Sequence, residues 1–261
     1  MGFWPGNYEG AISITFDDGM QSQLTFAIPA LNKRGIRATF YLNPRGSEED
    51  ASRVDSWQKN LEPWVAVQKK GHEIGNHSLM HPCSLNINAG WLEGKNLLDW
   101  DLARIEADIL EAQRRIKAVF PTQQYISYAY PCYESTVGKG EHRQSYVPIV
   151  ARNFIVARAR GELRGELAND PLYCDLYHLS SWPVERQAGA FMVGLVEQAL
   201  AAGLWGIFTI HGIHESHLPV GDTDFIELVD HLARRKECVW VAPVGEIGAY
   251  IHQKIMAGML K

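Results

Sequence analysis

Two adjacent acids, Asp17 and Asp18, close the run Ala11-Ile12-Ser13-Ile14-Thr15-Phe16 and are followed by Gly19. Alternation of Ile12, Ile14 and Phe16 reads as a strand, so both carboxylates stand at its end, where burial makes uncompensated negative charge costly. Two accounts fit. Something positive shares the site, or Asp-Asp-Gly turns the chain and one Asp caps the following helix. His77 and His81 are four residues apart. On a helical turn that spacing puts both imidazoles on one face, where they can share a cation, and Pro82 then stops the helix. Two histidines and one carboxylate leave positions open for water and substrate, as in catalytic rather than structural zinc sites. A chain with ten histidines also yields such a pair by chance. His211 closes the late apolar run from Trp205, where it either transfers protons or packs in the core.

Bringing these residues together needs a scaffold that gathers strand ends. Short apolar runs alternate with longer amphipathic ones along the chain. They predict strands over 11–15, 37–41, 73–75, 126–129, 154–157, 176–179, 205–211 and 239–242, and helices over 24–33, 57–70, 97–119, 143–151, 189–202, 224–235 and 244–259. No Gly-rich nucleotide turn follows the first strand. The expectation is an α/β fold, one domain over residues 1–261, built as a distorted (β/α) barrel of seven or eight strands. Barrel sites form at the C-terminal ends of strands, where all three candidate groups fall.

Lys and Arg total 25 against 30 Asp and Glu, a net charge of −5, which excludes a nucleic-acid partner bound through a basic footprint. The stretch 188–210 has membrane length but carries Glu197, Gln198, Gly203 and Gly206. It predicts a buried helix ending near Gly203 and then a strand, with no membrane partner. The first six residues show neither a basic segment nor an apolar leader, so a cytoplasmic protein is expected. The four cysteines are widely spaced without a C-x-x-C pair, which predicts thiols rather than disulfides, Cys132 being a small buried one. His214 and His217 read as polar loop residues.

Thr15-Phe16-Asp17-Asp18-Gly19 and Gly71-His72-Glu73-Ile74-Gly75-Asn76-His77-Ser78-Leu79-Met80-His81 resemble the first two motifs of the polysaccharide deacetylase family, the NodB-homology domain of carbohydrate esterase family 4. Trp205-Gly206-Ile207-Phe208-Thr209-Ile210-His211 is similar to the family's late histidine strand. Val239-Trp240-Val241-Ala242-Pro243 with Glu246-Ile247 is similar to its final strand and helix, so the resemblance covers nearly the whole chain. It implies Asp17 as general base, Asp18, His77 and His81 as ligands of one divalent metal, and His211 as general acid. Zinc suits two histidines and one carboxylate, and cobalt, nickel or iron can use the same ligands. The implied reaction removes acetyl groups from N- or O-acetylated carbohydrate. Asp17 takes a proton from the attacking water, the metal stabilises the oxyanion and His211 protonates the leaving group.

Two positions depart from the family pattern. In Tyr128-Ala129-Tyr130-Pro131-Cys132-Tyr133, Ala129 stands where the family has an arginine that orients the base. Either Arg158 or Arg160 approaches Asp17 from another strand, or the base is unpartnered. Gly212 stands where many members place an Asp after the late histidine. By resemblance, Pro131 shapes the groove and the Cys132 N–H assists the oxyanion. Tyr133 and Trp182 offer aromatic faces to a sugar ring. The missing arginine and leader keep open a same-fold hydrolase of another non-peptide C–N bond, in a small amide, ureide or imide. A catalytically silent sugar-binding protein is a third possibility, against which stands the joint presence of all five residues.

Overall fold

Strand β1 (Gly10–Asp17) is buried along its whole length, including the polar Ser13 and Thr15. Both hydroxyls are satisfied internally: Ser13 Oγ donates to the Ala242 carbonyl at 2.8 Å and Thr15 Oγ1 to that of Phe208 at 2.7 Å. A computed structural model describes residues 2–46, 57, 61–84, 90–159 and 168–258. Around β1 lie β2 (Thr39–Leu42), β3 (Glu73–Asn76), β4 (Tyr128–Ala129), β5 (Ala157–Arg158), β6 (Trp182–Pro183), β7 (Trp205–Ile210) and β8 (Val239–Val241). All eight join one parallel sheet in the order β5-β4-β3-β2-β1-β7-β6, with β8 also on β1.

The sheet curls because one edge of β1 serves two neighbours. Residues 10–12 pair with 239–241, while 15–17 pair with 39–41, so β2 and β8 splay apart along the same strand. The result is a half-barrel, the distorted barrel expected from the alternating pattern. Helices α1 (Ile28–Lys33), α2 (Leu61–Lys69), α3 (Leu102–Val119), α4 (Val147–Asn153), α5 (Gly189–Ala201), α6 (Asp222–Arg234) and α7 (Val244–Met256) flank it. Parallel strands need such crossovers, and every strand then ends on the same side.

Several expected boundaries move, each for a local reason. The helix expected from 97 starts at Leu102, because Asp101 caps it by accepting from the Arg104 N–H at 2.8 Å. Residues 144–145 pair with 136–137 as a small hairpin, so α4 begins only at Val147. No strand runs over 176–179. The segment follows β5 through the Ala157 N–H to Leu176 carbonyl bond at 2.8 Å and the Ala159 N–H to Leu179 carbonyl bond at 2.7 Å. Asp175 Oδ1 accepts from the Tyr177 N–H and turns the chain there, leaving the strand to form later at β6. Residues 58–60 and 259, the outer parts of two expected helices, lie outside the described residues. Helix α5 followed by β7 matches the reading of 188–210, and no described helix is long and apolar enough to cross a membrane.

Candidate active site

Asp17 is the last residue of β1, with a side chain only 4% exposed. Both its carboxylate oxygens accept from Nη2 of Arg158 at 2.7 Å. Arg158 ends β5, is wholly buried, and donates through Nη1 to Thr209 Oγ1 at 2.6 Å. Its guanidinium lies 5.0 Å from the ring centre of Tyr41 and 5.7 Å from that of Tyr133. Ala129 is the register partner of Arg158 on the adjoining strand. The arginine absent from Ala129 has thus moved one strand over, and the small alanine beside it leaves the space for it. Arg160, the other candidate, lies outside the described residues. Burial pushes the Asp17 carboxyl up, but Arg158, then His77 and His211, outweigh it and hold it below the usual carboxylate range.

Asp18 follows in the left-handed region, φ 71°, with its N–H bonded to the Tyr41 carbonyl at 3.1 Å. His77 Nε2 lies 3.8 Å and His81 Nε2 3.5 Å from Asp18 Oδ1. The expected helical turn over 77–81 does not form. Positive φ at Ser78 (62°) and His81 (53°) folds the segment as an irregular loop, which brings the two imidazoles edge to face with centres 4.8 Å apart. Side chains replace the missing helical bonds. Asn43 Nδ2 donates to the carbonyls of His77 and Ser78, and Asn76 Oδ1 accepts from the Ser78 N–H at 2.7 Å. Asp108 accepts from the N–H groups of Leu79 and Met80 at 3.0 and 2.9 Å.

His77 Nδ1 lies 2.8 Å from the Ala129 carbonyl. A carbonyl only accepts, so Nδ1 is the donor there and Nε2 is the nitrogen turned toward the carboxylates. Burial pushes His81 down to about 4, keeping it neutral as a metal ligand must be. The ligand atoms of Asp18, His77 and His81 lie within 4.8 Å of one another and could hold one divalent cation.

His211 follows β7, with Nε2 4.0 Å from Asp18 Oδ2. Gln23 Nε2 donates to the carbonyls of both Asp17 and His211, at 2.6 and 2.7 Å, and locks the two strand ends together. Gly212 is required by packing, since a Cβ there would sit 2.5 Å from the Glu215 carbonyl oxygen. That leaves no room for the acidic neighbour of other members. His214 pairs with Asp222 at 2.7 Å on the exposed surface, whereas His217 lines the cavity over the site.

The cavity measures about 660 Å³ and also exposes Tyr130, Cys132, Tyr133, Pro183 and Glu185. Two residues expected at its wall lie behind it. Trp182 is 3% exposed, buried edge-on against Phe208 in the space left by Gly206, so no face remains for a sugar. Pro131 is buried at the start of the turn and does not border the cavity. Cys132 is exposed rather than buried, and it forms a disulfide with Cys83. The expectation of free thiols throughout therefore holds only for Cys174 and Cys238. Strands β3 and β4 are neighbours, so the loops that follow them meet although 49 residues separate the two cysteines. Asn43 and Asp108 escaped the sequence reading. Asp108 leaves a signal, sitting in the core stripe of α3 with Ile105, Ile109, Ala112 and Ile116, where an unpartnered carboxylate is costly.

Fold and site together define a curled α/β barrel protein with an acid–histidine centre at its strand ends. A sequence profile described as polysaccharide deacetylase matches residues 6–147, and the chain belongs to that family, the NodB-homology domain of carbohydrate esterase family 4. No curated protein sequence matches it significantly. Among solved structures it is similar to a candidate polysaccharide deacetylase from Mycobacterium smegmatis, with TM-score 0.66 and 14% identity over 97% of this chain and 93% of that one. A family 4 acetyl xylan esterase from Clostridium thermocellum, solved with cobalt, matches with TM-score 0.52 and 17% identity over 92% and 90%. A family 4 pseudoenzyme from Bacillus anthracis matches with TM-score 0.52 and 14% identity over 93% and 66%. These similarities are of fold.

Proposed function

We propose that this chain is a metal-dependent deacetylase that hydrolyses N- or O-acetyl groups on carbohydrate. One observation carries the reading: Asp17, paired with Arg158, lies 3.7 Å through Oδ2 from His77 Nε2, on the same cavity as Asp18, His81 and His211. Asp18, His77 and His81 would hold the cation, which supplies Lewis acidity that lowers the pKa of water and polarises the acetyl carbonyl. Asp17 stays ionised beside Arg158 and takes the proton of the attacking water. Arg158 fixes its carboxylate without competing for that proton, since a guanidinium does not titrate in this range. The backbone N–H of Cys132, on the cavity wall, receives the developing oxyanion. His211, across from Asp17, gives a proton to the departing amine or alkoxide. With Trp182 buried, Tyr133 on the cavity wall offers an aromatic surface for a sugar ring.

Incubating zinc- or cobalt-loaded protein with acetylated xylan, chitooligosaccharides and a panel of ureides, amides and imides tests the reading. Acetate release is expected. Asp17→Asn should lower turnover by at least about 100-fold, the low end for a positioned base, while the metal stays bound. Cleavage of a ureide, amide or imide without acetate release from the acetylated sugars would assign the site to another C–N bond, and no turnover of any substrate would make it a silent binder.

A further inference from the structure

The disulfide lies against one of the proposed metal ligands. Cys83 is two residues past His81 on the loop after β3, and Cys132 sits in the turn after β4. Cys83 Sγ is 3.8 Å from Nδ1 of His81, and the ligand atoms of His81, Cys83 and Cys132 all lie within 4.8 Å of one another. The imidazole thus presents its two nitrogens to two donor sets: Nε2 faces Asp18 at 3.5 Å and Nδ1 faces the sulfurs. We propose that Cys83, Cys132 and His81 Nδ1 form a second cation site, for zinc or another thiophilic divalent ion, that exists only when the disulfide is reduced.

The donors explain the condition. A thiolate is a strong ligand for such an ion and a disulfide sulfur is not. Cys132 is exposed on the cavity wall, within reach of a small thiol or a dithiol protein. Two thiols of the reductant give two electrons and become a disulfide; the Cys83–Cys132 bond breaks and each sulfur takes a proton. Cation binding then displaces both protons. Both sulfurs stay placed by the fold. The Cys83 N–H donates to the Lys95 carbonyl at 3.1 Å, its carbonyl accepts from the Leu97 N–H at 2.9 Å, and Cys132 sits in the turn 131–133. Two thiolates and one imidazole would leave a fourth position for water, as in Cys2His zinc sites. A neutral imidazole has one lone pair. Occupancy of the sulfur site therefore draws His81 from Asp18 and His77, making the thiol state of the pair a control on the first site.

Cobalt(II) titration of the whole protein, oxidised and phosphine-reduced, reads this without reference to activity. Reduction should create a near-ultraviolet thiolate-to-cobalt absorption band that the oxidised protein lacks. The band should vanish in Cys83→Ser and in Cys132→Ser and persist when Cys174 and Cys238 are both changed to Ser. His81→Ala should weaken cobalt affinity at the band by at least about 10-fold, the lower cost of losing even an outer partner of a ligand. Absence of the band from reduced protein that keeps its native circular dichroism overturns the proposal, as does a band that survives in Cys83→Ser or Cys132→Ser. Cys132→Ser, on an exposed side chain, keeps the test available should Cys83→Ser fail to fold.

Discussion

Arg158→Met removes the guanidinium shared by both oxygens of Asp17 at 2.7 Å and keeps an unbranched apolar stem in the same buried space. Asp17 is then a buried carboxylate facing His77, His211 and the like charge of Asp18. Removing one partner of a buried pair costs about 3–5 kcal/mol, because the remaining charge is stranded. At about 2 °C per kcal/mol for a chain of this size, the melting temperature at neutral pH should fall by roughly 6–10 °C. The pH dependence should also change sign. In the native protein Asp17 lies below its ordinary value of 3.8, so the stabilisation is present above that value and is lost as pH falls through the folded-state value. With Arg158 gone, burial dominates and the carboxyl moves up. Its contribution is then present at low pH and lost as pH rises through the new value. Activity should follow, since the base must be ionised: the ascending limb of kcat/KM moves to higher pH. Arg158→Lys restores a charge but not the planar fork, so it should recover part of the stability and little of the rate. Thermal melts from acid to neutral pH and a pH–rate profile measure both arms. A melting temperature within about 2 °C of native, with an unmoved ascending limb, would refute the claim that Arg158 holds Asp17.

Asp108→Ala should strand the N–H groups of Leu79 and Met80 at roughly 1–3 kcal/mol for each that stays buried, and weaken cation affinity about 10–100-fold, as read by chelator competition. Burial pushes the Asp108 carboxyl up to about 6, so its contribution is present below its ordinary value and fades as pH rises through about 6; the alanine variant should lose that slope in denaturant titrations. Gly206→Ala should cost about 1–3 kcal/mol, since its Cβ would fall 2.4 Å from Trp182 Cη2 and 2.8 Å from Ile12 Cδ1. Thiol titration in denaturant should count two cysteines, Cys174 and Cys238, before reduction and all four after it.

What the sequence determined by itself is local. Alternation of Ile12, Ile14 and Phe16 placed Asp17 and Asp18 at a strand end, and the run from Trp205 did the same for His211, because a strand's period of two is written in its own residues. The alternation of strands and helices likewise dictated a parallel sheet whose ends share one side. Spacing misled where the backbone left regular structure: His77 and His81 meet across a loop with left-handed residues, held by Asn43 and Asp108 from other elements. Only the tertiary structure decided that Arg158 reaches Asp17, that Cys83 and Cys132 join, and that Trp182 turns inward over Gly206. The last two depend on strand adjacency, β4 beside β3 and β6 beside β7, and the first on the curl that carries β5 across to β1, four strands away in the sheet. Adjacency is set when the whole sheet buries its faces, and a side chain's near neighbours in the chain carry no record of it.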